Sequence, residues 1–208
     1  MSKGDFEIKE ITAAQAAPLL GEHHYLSGIS KGFKSGDNYG LFRVGEAEVL
    51  GVCLFTNFPV PELVVGLFGL PREQQQGMVE LSRLCVEPTV QKTEHNITSW
   101  FVSRCLRLLR KSREVRAVLS YADADYHSGT IYAACNFKYY GLSAAKNDFY
   151  TADGVKLSRG KTKGLAGEWR PRSQKHRWLI VFDKTLTPKW AEIVWESERR
   201  ILLGYDLI

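Results

Sequence analysis

Acidic and imidazole side chains follow an apolar run in the middle of the chain. Residues 115–122 (VRAVLSYA) are typical of a buried strand, and Asp123, Asp125 and His127 come directly after them. A loop at the end of a buried strand can hold polar groups over the edge of a sheet, where an aspartate can orient or deprotonate an attacking amine. Ordinary turn formation is the alternative, because Asp, Ser and Gly favour turns. We take Asp123 as the catalytic candidate of this cluster.

A serine and an arginine interrupt the strand-like run MVELSRLCV at residues 78–86. A charge such as that of Arg83 is costly in an apolar strand unless it is paired or faces a cleft. The functional interpretation of Ser82 and Arg83 is a catalytic pair in which the arginine holds an anion or the substrate. The alternative is an ion pair on the solvent face of a half-buried strand.

Tyr132 and the adjacent His23 and His24 offer further polar groups. Tyr132 follows an expected helix start and can serve as a general acid or pack in the core, since a tyrosine buries a large area. Neighbouring side chains point in different directions from a strand or helix, so the two histidines do not form a ready metal site. Neither the histidine nor the cysteine spacing indicates a metal, and whether one is needed stays open.

The segment from Lys156 to Arg177 contains eight basic residues and one acidic residue, Glu168. It also contains several glycines and the tryptophan Trp169, and Trp178 follows it, which suits a mobile arm that neutralises phosphates and stacks on a base. A solvated loop without a partner is the alternative. The residues predicted to bind DNA are Lys161, Lys163, Arg170, Arg172, Lys175 and Arg177.

The periodicity of the chain predicts the elements that must position these groups. Strands are expected at residues 6–11, 39–58 (a hairpin), 78–86, 115–122 and near 144–150, and in the run RWLIVFD. A helix is expected at 97–110 with Ile97, Phe101, Cys105 and Leu108 inward and Asn96 as its cap. Further helices are expected after Thr12, over TIYAACNF as far as Gly141, and from Thr187 to about Glu198.

Strands outnumber helices, and helices separate the later strands, which predicts an α+β or mixed α/β fold with a mostly antiparallel sheet flanked by helices. The helix expected at 97–110 begins just after a strand, and the free backbone N–H groups at its start can hold a phosphate. Asn96, Thr98 and Ser99 are therefore the cofactor-binding candidates.

The 208 residues with 44% hydrophobic and 12% aromatic side chains predict a single globular domain and exclude a disordered chain. The longest apolar stretch is too short to cross a bilayer, and the start lacks the apolar core of a signal peptide. The four cysteines are therefore expected to stay reduced in a cytoplasm, as small core residues.

The order of elements resembles the acyl-CoA N-acetyltransferase fold known as GNAT. That resemblance implies acetyl-CoA or another acyl donor as cofactor, with its pyrophosphate at the loop before the long helix. The loop of that family usually reads R/Q-x-x-G-x-G/A, whereas the corresponding residues here, PTVQKTEHNITSW, contain no glycine.

Four blocks in order resemble the phage Mom family of DNA adenine modification proteins, which are GNAT-like. They are HHYLSG (23–28), ELSRLCVEP (80–88), SYADADYHSGTIYAACNFKYYG (120–141) and RPRSQKHRW (170–178). The resemblance implies attachment of a carbamoylmethyl group to the exocyclic amine of adenine in phage DNA, which protects that DNA from host restriction in the bacterial cytoplasm. His24 and Tyr25 fall on the HY of the family pattern, which implies that one of them lines the substrate pocket, and His127 is a further substrate-binding candidate. The implied partners are double-stranded DNA and the donor, and a homodimer stays open.

The chemistry of the implied reaction does not identify the donor molecule. Attack on an acetyl thioester gives an N-acetyl group, whereas the product of the Mom family is joined through a methylene carbon. The target base must also leave the duplex, which calls for aromatic walls such as those that tyrosines provide. Two other functions remain: an N-acetyltransferase acting on a protein or small-molecule amine, and a non-catalytic DNA-binding protein on a GNAT scaffold.

Overall fold

The computed structural model describes residues 3–24, 33–34, 36–58, 60–157 and 159–195. Over these residues the chain forms a seven-stranded central sheet, a separate three-stranded sheet and five α-helices. The central strands are β1 (Phe6–Glu10), β2 (Asp37–Arg43), β3 (Gly51–Asn57), β4 (Met78–Val86), β5 (Ala117–Asp123), β6 (Lys138–Leu142) and β10 (Lys175–Val181). The small sheet consists of β7 (Lys146–Thr151), β8 (Lys156–Leu157) and β9 (Gly167–Arg172). The helices are α1 (Ala13–His23), α2 (Pro61–Phe68), α3 (Pro88–Thr93), α4 (Ile97–Ser112) and α5 (Thr130–Ala134).

The central sheet has the strand order β1-β2-β3-β4-β5-β10-β6, and the described pairs are antiparallel except β4 with β5. Parallel neighbours need a crossover, which α3 and α4 provide. The pairing of β4 with β5 runs from Met78 opposite Ala117 to Leu81 opposite Ser120 and stops there, although both strands are described to their ends. The remaining part of β4 therefore has a free edge. The predicted fold class, a mostly antiparallel sheet flanked by helices, is confirmed.

A β-bulge lies at Ser82. On β3, Leu54 pairs with Arg83 and the next residue, Phe55, pairs with Leu81, so Ser82 is an extra residue on β4. Side chains alternate along a strand, so an extra residue moves everything after it to the opposite face. The bulge therefore decides which face Arg83 occupies.

Helices cover both faces of the sheet. On one face α1 packs Ala16, Leu19 and Leu20 against β3, and the side chain of Thr12 and that of Gln15 form a reciprocal cap at its start. On the other face α4 buries Phe101 with the central cluster. The predicted inward set of α4 is confirmed except for Leu108, which is 36% exposed. All four cysteines are buried and free, as expected.

Several predicted local elements were wrong. The helix expected up to Gly141 ends at Ala134, and residues 138–142 instead form β6, because pairing with β10 overrides local propensity. The helix expected from Thr187 is absent over 187–194, and residues 196–198 of that prediction lie outside the described residues. Helices α2 and α3 were not predicted. The basic segment, expected to be a mobile arm, pairs with β7 to form the small sheet.

Candidate active site

A cavity of about 420 Å³ opens where β4 and β5 stop pairing. The free end of β4 forms one wall through Leu84, Cys85 and Val86. The loop after β5 forms the opposite wall, and the starts of α3 and α4 close one end. His23 and His24 at the end of α1 complete the lining. The chain thus surrounds a pocket with groups from five separate segments.

His24 and His127 line this cavity, and Arg83 lies close enough to His24 to affect its pKa. His24 is 8% exposed, and burial, together with the positive charge of Arg83 and the nearby His127, lowers the pKa of its imidazole to about 4. His127 is open to the cavity, but the surrounding protein partly desolvates its ring and lowers its pKa, an effect that Asp123 partly offsets. Both imidazoles are therefore neutral near pH 7 and able to accept a proton. The predicted residues His24, Arg83 and His127 are brought together by the fold.

Glu80 and Tyr121 extend the polar surface on the same face as Arg83. Glu80 is half-buried, and burial raises the pKa of its carboxyl, while Arg83 and Lys34 lower it in part. Burial raises the pKa of Tyr121 to about 12, with a further contribution from the negative charge of Glu80. Sequence reasoning missed Glu80 as a site residue. The sequence feature that could have identified Glu80 is a carboxylate within the strand-like run, two residues before Ser82 and three before Arg83.

Asp123 organises the loop that carries His127. Its carboxylate accepts hydrogen bonds from the hydroxyl of Ser173 and the ammonium of Lys175, and it accepts the backbone N–H of Asp125 at 3.2 Å. Burial raises the pKa of Asp123, but these hydrogen bonds more than offset it and hold the pKa below its ordinary value. The backbone carbonyl of Asp123 accepts the N–H of His127 at 2.9 Å. A carboxylate held in this way is a positioning residue and a weak base.

Two of the six predicted DNA-binding residues lie in the central sheet. Lys175 pairs with Asp123 in register and forms an ion pair with it. The guanidinium of Arg177 donates to the carbonyl of Tyr140 at 2.5 Å and lies 4.3 Å from the ring centroid of Trp190. Both cations are thus engaged within the protein, and we do not retain them as DNA contacts.

The other four predicted DNA-binding residues lie on or beside the small sheet. They are Lys161, Lys163, Arg170 and Arg172, all of them exposed or half-exposed. Acidic partners neutralise part of the charge: Arg170 pairs with Glu168 at 2.6 Å, and Lys156 of the same sheet pairs with Asp148 at 2.5 Å. Trp169 is 51% exposed beside these charges. The surface is less positive than the sequence count suggested.

The start of α4 fits a donor. Thr98 lines the cavity and is 7% exposed, and its hydroxyl oxygen is buried without a hydrogen-bond partner among the described residues. Asn96 has φ of 57°, a left-handed conformation that favours glycine and that asparagine tolerates. Asn96 occupies the N-cap position of α4, as predicted, although its side chain forms no capping hydrogen bond within the described residues. Ser99 donates its hydroxyl to the carbonyl of Asn96 at 3.1 Å and has no direct place in the cavity lining. An orphaned hydroxyl beside a free strand edge suits an acyl donor with an amide-containing chain.

The remaining predicted residues lie close to the cavity or in the core. Ser82 is the bulge residue and donates its hydroxyl to the carbonyl of Leu54 at 3.3 Å. Tyr132 is 4% exposed and packs against Phe137 and Trp178, so core packing accounts for it. Tyr25 lies outside the described residues.

Among the described residues, no group of three or more His, Cys, Asp or Glu side chains is arranged to hold a metal ion. None of the described helices combines the length and the apolar character needed to cross a bilayer.

Comparison with protein families identifies the chain. The model of the Mom protein family matches residues 5–190, and the chain belongs to this family. None of the curated proteins with which the chain was compared matches it.

Solved acetyltransferases share its fold. An acetyltransferase from Bacillus subtilis in complex with CoA is 14% identical with a TM-score of 0.50, the match covering 85% of this chain and 97% of the other. An N-acetyltransferase from Staphylococcus aureus is 15% identical with a TM-score of 0.50, over 85% and 98% of the two chains. A GNAT-family acetyltransferase from Bacillus anthracis is 11% identical with a TM-score of 0.50, over 85% and 95%. The GNAT-like fold expected from the sequence is thereby confirmed.

Proposed function

We propose that this member of the Mom protein family is a DNA modification enzyme that adds a carbamoylmethyl group to the exocyclic amine of adenine in phage DNA and so protects that DNA from host restriction. The observation that carries the proposal is that His24 and His127 line one cavity and Arg83 lies near His24, since these residues come from three of the sequence blocks that resemble the family. In the same reading, DNA is the acceptor and an acyl donor occupies the cavity.

The cavity has features suited to the donor. Beyond Leu81 the edge of β4 that faces β5 is unpaired, so its N–H and C=O groups can bind an extended amide chain. The hydroxyl of Thr98 supplies one more polar group at the end of the cavity. An amine that attacks the carbonyl carbon of an acyl thioester bound here gives an N-acyl product and releases the thiol. The carbamoylmethyl product requires a donor whose methylene carbon carries a leaving group, so that the amine nitrogen bonds to that carbon as the leaving group departs.

His127 is the residue best placed to accept the proton that the amine loses as its nitrogen forms a bond to carbon. Its neutral ring faces the cavity, and Asp123 holds its loop in place through the backbone. His24, with a pKa of about 4, is a weaker base and is better suited to accept a hydrogen bond from the substrate. Arg83 supplies positive charge for an anionic group of the donor or acceptor.

The acceptor base needs an apolar wall once it leaves the duplex. Tyr126 lines the cavity and is 58% exposed, so its ring is available for stacking. Glu80 and Tyr121 lie on the same face and provide acceptors for the amino group. Tyr126 therefore acts as the stacking surface of the base pocket.

Nucleoside mass spectrometry of total DNA from bacteria that express the chain tests this function. Wild type should yield a heavier deoxyadenosine, with a mass shift that separates carbamoylmethyl from acetyl. Arg83→Ala and His127→Ala should abolish it, whereas Arg72→Ala, which removes a remote surface arginine paired with Glu62, should retain it.

Two other outcomes would contradict the proposal. Unmodified DNA from well-folded protein that binds CoA and acetylates a small amine would favour an N-acetyltransferase, for which the shared fold with the acetyltransferases is the supporting observation. DNA binding that survives both variants, with no product in wild type, would favour a non-catalytic DNA-binding protein.

A further inference from the structure

A second concave surface lies away from the cavity, between the edge strand β1 and the outer side of α4. It encloses about 760 Å³. Phe6 and Ile8 of β1 and Trp100 and Leu108 of α4 form its apolar floor. We call it the β1–α4 groove. Trp100 is only half-buried, and its ring forms part of this floor.

The rim of the β1–α4 groove is uniformly basic. Its charged lining residues are Lys3, Arg104, Arg107, Arg110 and Lys111, and none of the described residues that line it is acidic. Within the described residues none of these five cations forms an ion pair. The small sheet, in contrast, neutralises Lys156 and Arg170 with its own carboxylates. The groove is therefore the more strongly charged of the two surfaces.

The helical period explains why the cations align. Arg104, Arg107 and Lys111 are spaced by three and four residues, which places them on one side of α4. The stripe from Arg104 to Lys111 is about 10 Å long, and duplex DNA carries about six phosphate charges over that distance. Arg104 lies 5.7 Å from the ring centroid of Trp100, which orients its guanidinium above the apolar floor. Positive charge at this density disfavours binding of a second copy of the chain, which carries the same charge, and favours binding of a polyanion.

We propose that the β1–α4 groove binds the phosphate backbone of duplex DNA at a position separate from the modification cavity. The inference rests on the proposed function, which makes DNA the acceptor. Contacts of this kind are independent of base sequence and hold the duplex while a base enters the cavity. The groove faces outward from α4, whereas Thr98 at the start of the same helix faces the cavity.

The test measures duplex binding by fluorescence anisotropy at several salt concentrations, with the full chain. The triple variant Arg104→Ala, Arg107→Ala and Lys111→Ala should bind at least about tenfold more weakly near 0.1 M salt, and the slope of log affinity against log salt should fall by about 2 to 3. The matched control removes the same charge at exposed lysines elsewhere, with Lys138→Ala, Lys184→Ala and Lys189→Ala. It should keep the wild-type slope. Both triple variants should unfold thermally at the wild-type temperature, which checks that a loss of binding is not a loss of fold.

The possible outcomes distinguish failure of the groove proposal from failure of the proposed function. If the groove variant binds with the affinity and slope of the control while Lys161→Ala and Arg172→Ala weaken binding, the groove proposal is overturned and the proposed function stands. If wild type itself binds no duplex at low salt, the proposed function fails and the groove proposal fails with it. A groove variant that loses binding to an acidic protein but not to DNA also overturns the proposal.

Discussion

Glu80 and Arg83 are three residues apart on β4, and yet both side chains lie on the face covered by α1. Glu80 is opposite Thr56 and Arg83 is opposite Leu54, two positions on β3 that share a face. In a regular strand, residues three apart point to opposite faces. The bulge at Ser82 changes this, and it places a carboxylate and a guanidinium together beside the cavity.

The position of Glu80 predicts a role in acceptor binding. Glu80→Gln keeps the shape of the side chain but removes a charged acceptor, so the KM for an adenine-containing oligonucleotide should rise about tenfold, the size of one hydrogen bond to a charged group. The Kd of the donor should not change, since Glu80 does not line the cavity. Glu62→Gln, at an exposed and remote site, is the control. A change in donor Kd alone would contradict this role.

The pair of Asp123 and Lys175 predicts a stability effect. Asp123→Asn leaves the partly buried ammonium of Lys175 without its carboxylate partner and should lower the free energy of unfolding at pH 7 by about 1 to 3 kcal/mol. Because the folded pKa of Asp123 is below its ordinary value of 3.8, the stabilisation is present above that pH and is lost as the pH falls through the folded pKa. Urea unfolding at pH 7 and near pH 3 measures both effects.

The control for Asp123 is Glu168→Gln, which breaks an exposed pair with Arg170 and should cost less than about 1 kcal/mol. Equal losses of unfolding free energy in the two variants would show that the ion pair of Asp123 stabilises the fold no more than an exposed ion pair does.

His24 predicts a loss of stability on acidification. Its pKa falls from 6.5 in the unfolded chain to about 4 in the folded protein, so the unfolded chain binds the proton first as the pH drops. Stability should decline between about pH 6.5 and 4, by about 3 kcal/mol at most. His24→Asn should flatten that decline in urea unfolding, whereas the exposed-site variant His95→Asn should keep it. An unchanged pH slope in His24→Asn would refute the assignment.

His127 predicts the pH profile of activity. As a general base it must be neutral, and its pKa is lowered from 6.5 by partial desolvation. The rate should therefore rise with pH through a midpoint under 6.5 and level off above it. His127→Asn should lower kcat by about 10² to 10⁴ and remove this midpoint. A midpoint that persists in the variant would assign the base to another residue.

Thr98 predicts opposite effects on stability and donor binding. Thr98→Val replaces a buried hydroxyl that has no hydrogen-bond partner among the described residues, so the free energy of unfolding without donor should stay the same or rise. The Kd for CoA should rise about two- to tenfold, because a hydrogen bond to the donor is lost. Thr98→Ser retains the hydroxyl and should retain the affinity. Calorimetric titration with CoA would contradict the role if Val and Ser bind alike.

The amino-acid sequence alone determined the elements whose patterns are local. Strand β4 and helix α4 were predicted within two residues of their bounds, since an apolar run or a helical period is set by neighbours along the chain. The blocks around His24, Arg83 and His127 also identified the family. Elements that depend on partners were missed, as β6 shows: its residues follow a helical stretch and become a strand only because β10 lies beside them.

Only the tertiary structure decided what each polar group does. Asp123 and Lys175 are 52 residues apart and were given different roles, but the pairing of β5 with β10 makes them one ion pair. The bulge at Ser82 brings Glu80 into the site, and the packing of β1 on α4 joins Lys3 to the cations of that helix. Periodicity specifies which side of an element is apolar, whereas strand register and long-range packing specify which charges meet.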